Sequence, residues 1–291
     1  MEYLDKNELI FLDYCPICNS KDIKKIGGKN TININSEELV SLVECGNCKH
    51  WFISPVPIQK YLNNLYRIGS EFVTSKGYVG REKPEETDIK EYMTRFIKYK
   101  PDLSEMNYLE IGVGSGYFFN YFEKKAKLSY GVDPCSYKPE NPNIVEDISM
   151  IPDNLKFDII IIQDVLEHLE SPLDMLQIIK KLANKDAVLS CGFPNKDCLM
   201  AKIMKEKWRM IMPMGHLHYF SKKSIDMMLK KSGWKLKKKY GIWVRPTIID
   251  IMKNFPWGSK NPIKLIYRCF AYLLIEEIIL RKDQWYVLAQ N

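Results

Sequence analysis

The sequence predicts an α/β protein with a small N-terminal module built around cysteines. Two Cys-x-x-Cys pairs lie within the first 50 residues. Near the middle of the chain, a predicted strand, a glycine-rich turn and a helix follow one another, and short apolar runs then alternate with helical patterns. Such alternation is typical of a parallel sheet covered by helices. The length of 291 residues suits a medium-sized domain joined to a small one.

Four of the eight cysteines form the two pairs, Cys15 with Cys18 and Cys45 with Cys48. Each pair directs two thiolates at one ion, and two pairs complete the tetrahedron that Zn²⁺ prefers. The spacing therefore predicts a structural zinc site in a zinc ribbon of residues 1–60. Redox dithiols and structural disulfides are the alternatives. The remaining cysteines are scattered and are expected to be buried free thiols: Cys135, Cys191, Cys198 and Cys269.

Residues 31–43 carry isoleucine at alternate positions and then a run of aliphatic residues, which is typical of ribbon strands. Residues 61–104 are predicted to form a helical linker or lid. Helical patterns occupy 59–66 and 87–100, and the glycine-containing segment 69–86 between them is expected to be a loop beside a site.

The central turn has the sequence Glu110-Ile-Gly-Val-Gly-Ser-Gly116, between a predicted strand (108–111) and a predicted helix (117–125). Gly112, Gly114 and Gly116 allow positive φ angles and a close approach of a ligand to the backbone. The amides at the start of the helix then favour a negatively charged group.

The next predicted strand, 128–132, ends at Asp133, which lies 17 residues after Gly116. An acid at this position is placed to accept hydrogen bonds from ribose hydroxyls. The turn lacks the glycine spacing that seats a pyrophosphate, and Glu110 would repel a phosphate. A cofactor with a ribose, a carboxylate and a cationic centre fits better, and S-adenosylmethionine has all three.

These motifs resemble those of the class I S-adenosylmethionine-dependent methyltransferases. The resemblance covers residues 105–242 and implies a Rossmann-like, seven-stranded sheet in a methyltransferase domain of residues 105–291. It implies that Asp147, after the third strand, lies beside the adenine edge, although Asp147 can instead cap a helix. The cofactor-binding residues that it implies are Glu110, Gly112, Gly114, Gly116, Asp133, Asp147 and Gln163.

Methyl transfer to a hydroxyl requires removal of its proton, and histidine is the usual base near neutral pH. His216 and His218 lie in Gly215-His-Leu-His-Tyr-Phe-Ser221, which resembles a segment of zinc-ribbon sugar methyltransferases. That resemblance implies a sugar-like acceptor and makes His216 the candidate base, with His168 and His218 as further catalytic candidates. The alternatives are a packing or capping role for His168 and an ordering of the loop by His216 and His218.

The C-terminal part contains two further predicted strands, 234–242 and 285–289, and the resemblance implies that the last one is antiparallel to the one before. Residues 243–283 form an excursion between them. Its apolar run falls short of the about 20 residues that a membrane-spanning helix needs, and charged residues interrupt it. The excursion is expected to be a substrate lid, a dimer surface or a membrane contact.

The composition, 46% hydrophobic and 27% charged, excludes a disordered or fibrous protein. The net charge of +7 comes mostly from lysine and does not by itself indicate a polyanionic partner.

We expect a cytoplasmic enzyme without a transmembrane segment, which methylates a nucleotide-linked or polysaccharide sugar and not a nucleic acid. Two other hypotheses are an rRNA base methyltransferase with a zinc-ribbon RNA-binding module and a non-catalytic cofactor-binding scaffold. The oligomeric state does not follow from the sequence.

Overall fold

The computed structural model describes residues 8–26, 32–33, 39–63, 102–114, 116–134, 141–208, 210–212, 215–242 and 284–291. Residues 59–63 are helical, which agrees with the start of the helix predicted over 59–66. The other predictions for the linker at 64–100, those for Cys135 and Cys269, and those for the excursion 243–283 lie outside the described residues.

Fourteen strands lie within the described residues, in two large sheets and one two-stranded pair. In chain order they are β1 (Leu9–Ile10), β2 (Ile23–Lys25), β3 (Ile32–Asn33), β4 (Leu39–Cys45), β5 (Trp51–Ser54), β6 (Val56–Pro57), β7 (Asn107–Ile111), β8 (Leu128–Val132), β9 (Ile144–Val145), β10 (Phe157–Gln163), β11 (Ala183–Pro194), β12 (His218–Tyr219), β13 (Lys235–Ile242) and β14 (Gln284–Gln290). The two-stranded pair is β1 with β6.

The larger sheet has seven strands, as the sequence analysis predicts, in the order β13-β14-β11-β10-β7-β8-β9. Its five strands from β11 to β9 pair in parallel. In contrast, β14 is antiparallel to both β11 and β13, which confirms the predicted direction of the last strand. The carboxyl ends of the parallel strands therefore meet at one edge, where ligands bind in open α/β sheets.

Besides the helical residues 59–63, four α-helices and three short 3₁₀ helices accompany the strands in the described residues. The α-helices are α1 (Tyr117–Glu123), α2 (Pro172–Leu182), α3 (Leu199–Met204) and α4 (Lys222–Ser232), and the 3₁₀ helices are η1 (Ile148–Met150), η2 (Leu166–His168) and η3 (Lys205–Lys207). Helix α4 begins at a capping box, in which Ser221 and Ser224 bond reciprocally, and ends at Gly233 with φ of 79°. Ser221 is therefore the N-cap residue of α4.

The central strand β10 shows that both faces of the large sheet are covered. Ile160 and Ile162 pack in a core that includes residues of α2 and α4, whereas Ile159 and Ile161 pack in a second core with Phe119 of α1. Burial on both faces explains why this strand is a continuous apolar run and does not alternate with polar residues.

The smaller sheet contains the ribbon strands together with one strand from the distant loop. Strand β4 pairs with β2, β3 and β5, all antiparallel, and β12 then pairs with β5. His218 lies opposite Phe52, and the amide of Ile53 donates to the carbonyl of Leu217 at 3.0 Å. Nothing in the sequence indicates this pairing, because a two-residue strand leaves no pattern of its own.

Side-chain contacts extend the union of the ribbon with the large domain. Cys15 and Phe52 of the ribbon belong to the same buried cluster as Phe220 beyond β12. The hydroxyl of Ser221 donates to the carbonyl of Cys48 at 2.6 Å, and the ammonium of Lys223 donates to the carbonyl of Asn47 at 2.7 Å. The ribbon therefore packs directly against the start of α4.

Three lysines of β13 face solvent, whereas the described cysteines outside the ribbon are buried. Lys235, Lys237 and Lys238 are exposed. Cys191 and Cys198 are buried free thiols, as predicted. Within the described part of the chain, no helix has both the length and the apolar content that a membrane crossing requires.

Candidate functional site

The glycine turn joins β7 to α1 at the carboxyl edge of the large sheet. Gly112, Gly114 and Gly116 have φ angles of +81°, +52° and +76°, which L side chains rarely adopt. A Cβ atom at Gly112 would lie 2.2 Å from a methyl of Val165, so the turn packs tightly on the segment after β10. At Gly114, no described atom lies within 4 Å of such a Cβ, which leaves that side of the turn open to a ligand.

Asp133 ties the tip of β8 to this turn. The amide of Gly114 donates to its carboxylate at 2.6 Å, and the side chain is largely buried. The two sequence motifs, 17 residues apart, thus form one site in which an acid borders an open stretch of backbone.

Glu110 lies fully buried at the end of β7, next to Asp133. The hydroxyl of Tyr108 donates to its carboxylate at 2.6 Å. Burial raises the pKa of Glu110 to about 8, and the charge of Asp133 adds to that rise, while the Tyr108 hydrogen bond opposes it. The free protein therefore keeps Glu110 mostly protonated at neutral pH, in a position where a cationic group would favour its ionised form.

The structure places Asp147 and Gln163 at the same edge of the sheet. Asp147 is exposed and caps η1 by accepting from the amide of Ser149 at 2.8 Å and from its hydroxyl at 2.6 Å. The amide group of Gln163 packs against Gly192, where a Cβ atom would come within 2.1 Å of it. Its oxygen is buried without a hydrogen-bond partner among the described residues, which suits an acceptor for a bound group. The contacts of Asp147 and Gln163 with the cofactor stay predictions.

A second group of side chains lies just beyond β10 and consists of Glu167, His168 and His216. The imidazole rings of His168 and His216 meet edge to face with their centroids 4.8 Å apart. Nδ1 of His168 donates to the carbonyl of Gly215 at 2.6 Å, and Nδ1 of His216 donates to the carbonyl of Met210 at 2.8 Å. The lone pairs are consequently on the two Nε2 atoms.

Burial governs the ionisation of this group. It lowers the pKa of His168 to about 4, with a contribution from His216, and it also lowers the pKa of His216. It raises the pKa of Glu167 well above its usual value, and the nearby carboxylate of Asp164 adds to the rise. At neutral pH, both imidazoles are thus neutral and able to accept a proton.

His218 has a different environment from its neighbour His216. It is completely buried, its Nε2 donates to the carbonyl of Leu169 at 2.9 Å, and its Nδ1 accepts from Nε2 of His50 at 3.1 Å. Burial lowers its pKa to about 4. Both ring nitrogens are engaged in joining the ribbon to the large domain, and a catalytic role for His218 stays a prediction.

The four ribbon cysteines converge near His50, whose carbonyl accepts from the amide of Cys45 at 2.9 Å. The sulfurs of Cys15 and Cys48 are 3.5 Å apart, as are those of Cys18 and Cys45, and all four lie within 4.8 Å of one another. A tetrahedral ion with metal–sulfur bonds of about 2.3 Å separates its sulfurs by about 3.8 Å. The cluster therefore fits a zinc ion without rearrangement of the backbone.

Sequence reasoning missed Glu167 and His50 as members of these groups. Nothing in the local pattern around Glu167 indicates that His216, 49 residues later, lies beside it. The signal for His50 is weaker still, because its partner His218 is 168 residues away.

Comparisons with known proteins agree with this architecture. A family model described as a methyltransferase domain matches residues 84–239. An uncharacterized protein of Methanocaldococcus jannaschii is 26% identical over 132 residues, which is 44% of this chain, and the chain spans only 63% of that relative's length.

Solved structures are similar in fold. The [4+2]-cyclase SpnF superposes with a TM-score of 0.51 at 10% identity, over 81% of this chain and 97% of that one. A SAM-dependent methyltransferase from Archaeoglobus fulgidus has a TM-score of 0.49 at 16% identity, over 76% and 99% of the two chains. At these identities the likeness concerns the fold alone.

The raised pKa of Glu110 makes the stability of the protein depend on pH. In the unfolded chain this carboxyl ionises above pH 4.5, whereas in the folded protein it does so only near pH 8, so stability is lost as pH rises between these values. Glu110→Gln keeps the acceptor for Tyr108. We expect its free energy of unfolding to exceed that of the native protein by about 1 kcal/mol at pH 5 and by several times that amount at pH 8. Urea unfolding followed by tryptophan fluorescence measures both values.

The exposed Glu105 provides the matched control, because Glu105→Gln removes the same charge without a buried carboxyl. A gain for Glu110→Gln that is independent of pH, or equal to that of Glu105→Gln, would contradict the assignment of Glu110 as a buried, destabilising acid.

Proposed function

Because the chain belongs to the methyltransferase-domain family, we propose that it transfers a methyl group from S-adenosylmethionine to a small hydroxylated acceptor, a nucleotide-linked or polysaccharide sugar. The observation that carries the proposal is the proximity of two groups at one edge of the sheet. The first is the open glycine turn with Asp133, and the second is the buried pair of neutral imidazoles, His168 and His216. Val165 packs against Gly112 and lies three residues before His168, so a short stretch of chain connects the two groups.

The first group has the chemistry that the cofactor requires. The carboxylate of Asp133 would accept hydrogen bonds from the ribose hydroxyls. The turn at Gly112, Gly114 and Gly116 would let the cofactor approach the backbone closely, on the side that is open at Gly114. Glu110 would ionise as the cationic part of the cofactor arrives. The buried oxygen of Gln163 would accept from a donor of the cofactor, and Asp147 would lie beside the adenine.

The second group has the chemistry that a hydroxyl acceptor requires. The acceptor oxygen attacks the methyl carbon as the sulfur–carbon bond breaks, and the hydroxyl proton passes to Nε2 of His216, which leaves S-adenosylhomocysteine and the methyl ether. Burial supports this role, because it keeps the imidazole neutral and excludes water that would compete for the methyl group. His168 packs against His216, and His218 would hold the loop in place through its hydrogen bonds to His50 and Leu169.

Two observations support a sugar as the acceptor. The His-Leu-His-Tyr-Phe-Ser segment resembles that of zinc-ribbon sugar methyltransferases, and β12 within it pairs with the ribbon. The fold by itself does not select the reaction, since the similar SpnF is described as a [4+2]-cyclase. Because of the resemblance of that segment, a small molecule is the proposed partner, and nucleic acid is not.

We also propose that the ribbon holds a structural zinc ion through Cys15, Cys18, Cys45 and Cys48. The separations of the four sulfurs support it. Their burial raises the pKa of Cys45, and contact with Cys15 raises that of Cys48, so four ionised thiols require a cation between them.

Asp133→Ala tests the cofactor assignment. We expect the affinity for S-adenosylmethionine to fall at least about 100-fold, because two hydrogen bonds from hydroxyls to a charged acceptor are lost. Titration calorimetry measures the affinity, and circular dichroism verifies the fold. Asp186→Ala is the control, since this exposed acid lies at the start of β11, at the opposite edge of the sheet. Unchanged affinity for Asp133→Ala would overturn the assignment.

His216→Ala tests the second group. Removal of a general base lowers turnover by roughly 10²- to 10⁴-fold. The affinity for S-adenosylmethionine should stay within about threefold of the native value, because His216 lies outside the turn. Transfer of a radiolabelled methyl group to a panel of nucleotide sugars measures turnover. Full activity of the variant would remove His216 as the base.

Cys45→Ser tests the zinc assignment. We expect the native protein to contain one more equivalent of zinc than this variant, measured by elemental analysis of the purified full chain. Cys198→Ser is a matched control, because a serine hydroxyl can replace the sulfur that accepts from the amide of Ala201. Equal zinc content in all three proteins would refute the ribbon site.

A further inference from the structure

Glu167, His168 and His216 bring three metal-ligating side chains together outside the ribbon. One ligand atom of each lies within 4.8 Å of the others. The backbone keeps the two segments in register, because the amide of Leu217 donates to the carbonyl of Glu167 at 2.7 Å. The group is therefore a built part of the fold and not a chance meeting of surface chains.

The orientation of both imidazoles is that of metal ligands. Each Nδ1 proton is donated to a backbone carbonyl, of Gly215 for His168 and of Met210 for His216. Metal-binding histidines characteristically make this outer hydrogen bond, which fixes the tautomer and directs the lone pair of the other nitrogen at the ion.

The side chain of Glu167 provides independent evidence for a bound cation. Its side chain is 1% exposed, and its Oε2 has no hydrogen-bond partner among the described residues. Its Oε1 lies 4.0 Å from Nε2 of His168, which is too far for a hydrogen bond. A buried carboxyl left in this way costs stability unless a cation completes its coordination.

We infer that Glu167, His168 and His216 bind a divalent first-row transition cation through one carboxylate oxygen and two Nε2 atoms. Two imidazoles and a carboxylate suit Mn²⁺, Fe²⁺, Co²⁺ and Zn²⁺, and three ligands leave coordination positions open. Metal–ligand bonds of about 2.0–2.2 Å require the three side chains to approach one another by small rotations. The side chain of His168 is 21% exposed, which gives an ion a route from solution.

The consequence for catalysis rests on the proposed function. A cation next to the glycine turn would act as a Lewis acid on the acceptor hydroxyl, whose proton would then pass to solvent water. Nε2 of His216 would then be a ligand, so the role of His216 as the base would apply only to the metal-free protein.

Titration of the full-length, zinc-loaded protein with Mn²⁺, followed by electron paramagnetic resonance, tests the site. Mn²⁺ prefers oxygen and nitrogen ligands and leaves the cysteine cluster undisturbed. We expect one bound Mn²⁺ per chain, with affinity at least tenfold weaker in Glu167→Gln. Glu146→Gln, which removes an exposed carboxylate near the same edge, should bind like the native protein. Absence of binding, or equal affinity in Glu167→Gln, would overturn the site.

Pulsed spectra of Mn²⁺ on the native protein decide the question if the Glu167 variant does not fold. Couplings from two imidazole nitrogens are expected, and spectra without nitrogen couplings would refute the site. The proposed function is tested separately, by the binding of S-adenosylmethionine to the native protein. If the native protein binds the cofactor but not Mn²⁺, the metal site alone is refuted. If the native protein does not bind the cofactor, the proposed function is refuted.

Discussion

His218 and Tyr219 continue the sheet of the cysteine ribbon as strand β12, which begins two residues after His216 in the chain. The pairing of β12 with β5 is buried, and the His50–His218 hydrogen bond lies beside it. Because only a few residues separate β12 from the capping box of α4, the ribbon fixes both the loop that bears His216 and the start of that helix. A metal ion in the ribbon would thus order the site from outside the large domain, since ribbons of this size have little core of their own.

The carboxyl edge of the sheet concentrates buried polar groups that do not favour folding. Glu110 and Glu167 are almost completely buried acids with raised pKa values, and His168 and His216 are imidazoles whose pKa values burial lowers. The apolar interior of β10 and the two cores on either side of it compensate for this cost. Such destabilising groups cluster at sites where charge or coordination is supplied by a bound ligand.

Local patterns predicted much of the fold correctly. The Cys15–Cys18 and Cys45–Cys48 spacing predicted a cluster that the structure assembles, because each pair is confined to one tight turn. Gly112, Gly114 and Gly116 predicted their own backbone conformation, since positive φ angles depend on the residue itself. In each case the physical cause lies within a few residues of the pattern.

The sequence by itself thus determined the α/β class, the seven strands, the cysteine cluster and the glycine turn with its acid at Asp133. Only the tertiary structure decided that β12 completes the ribbon, that His218 has both ring nitrogens engaged, and that Glu167 lies beside His168 and His216. These features depend on contacts across 49 to 168 residues of chain, which arise when separate elements pack. No local periodicity or propensity encodes such contacts, because the partner that gives each side chain its role is absent from its own segment.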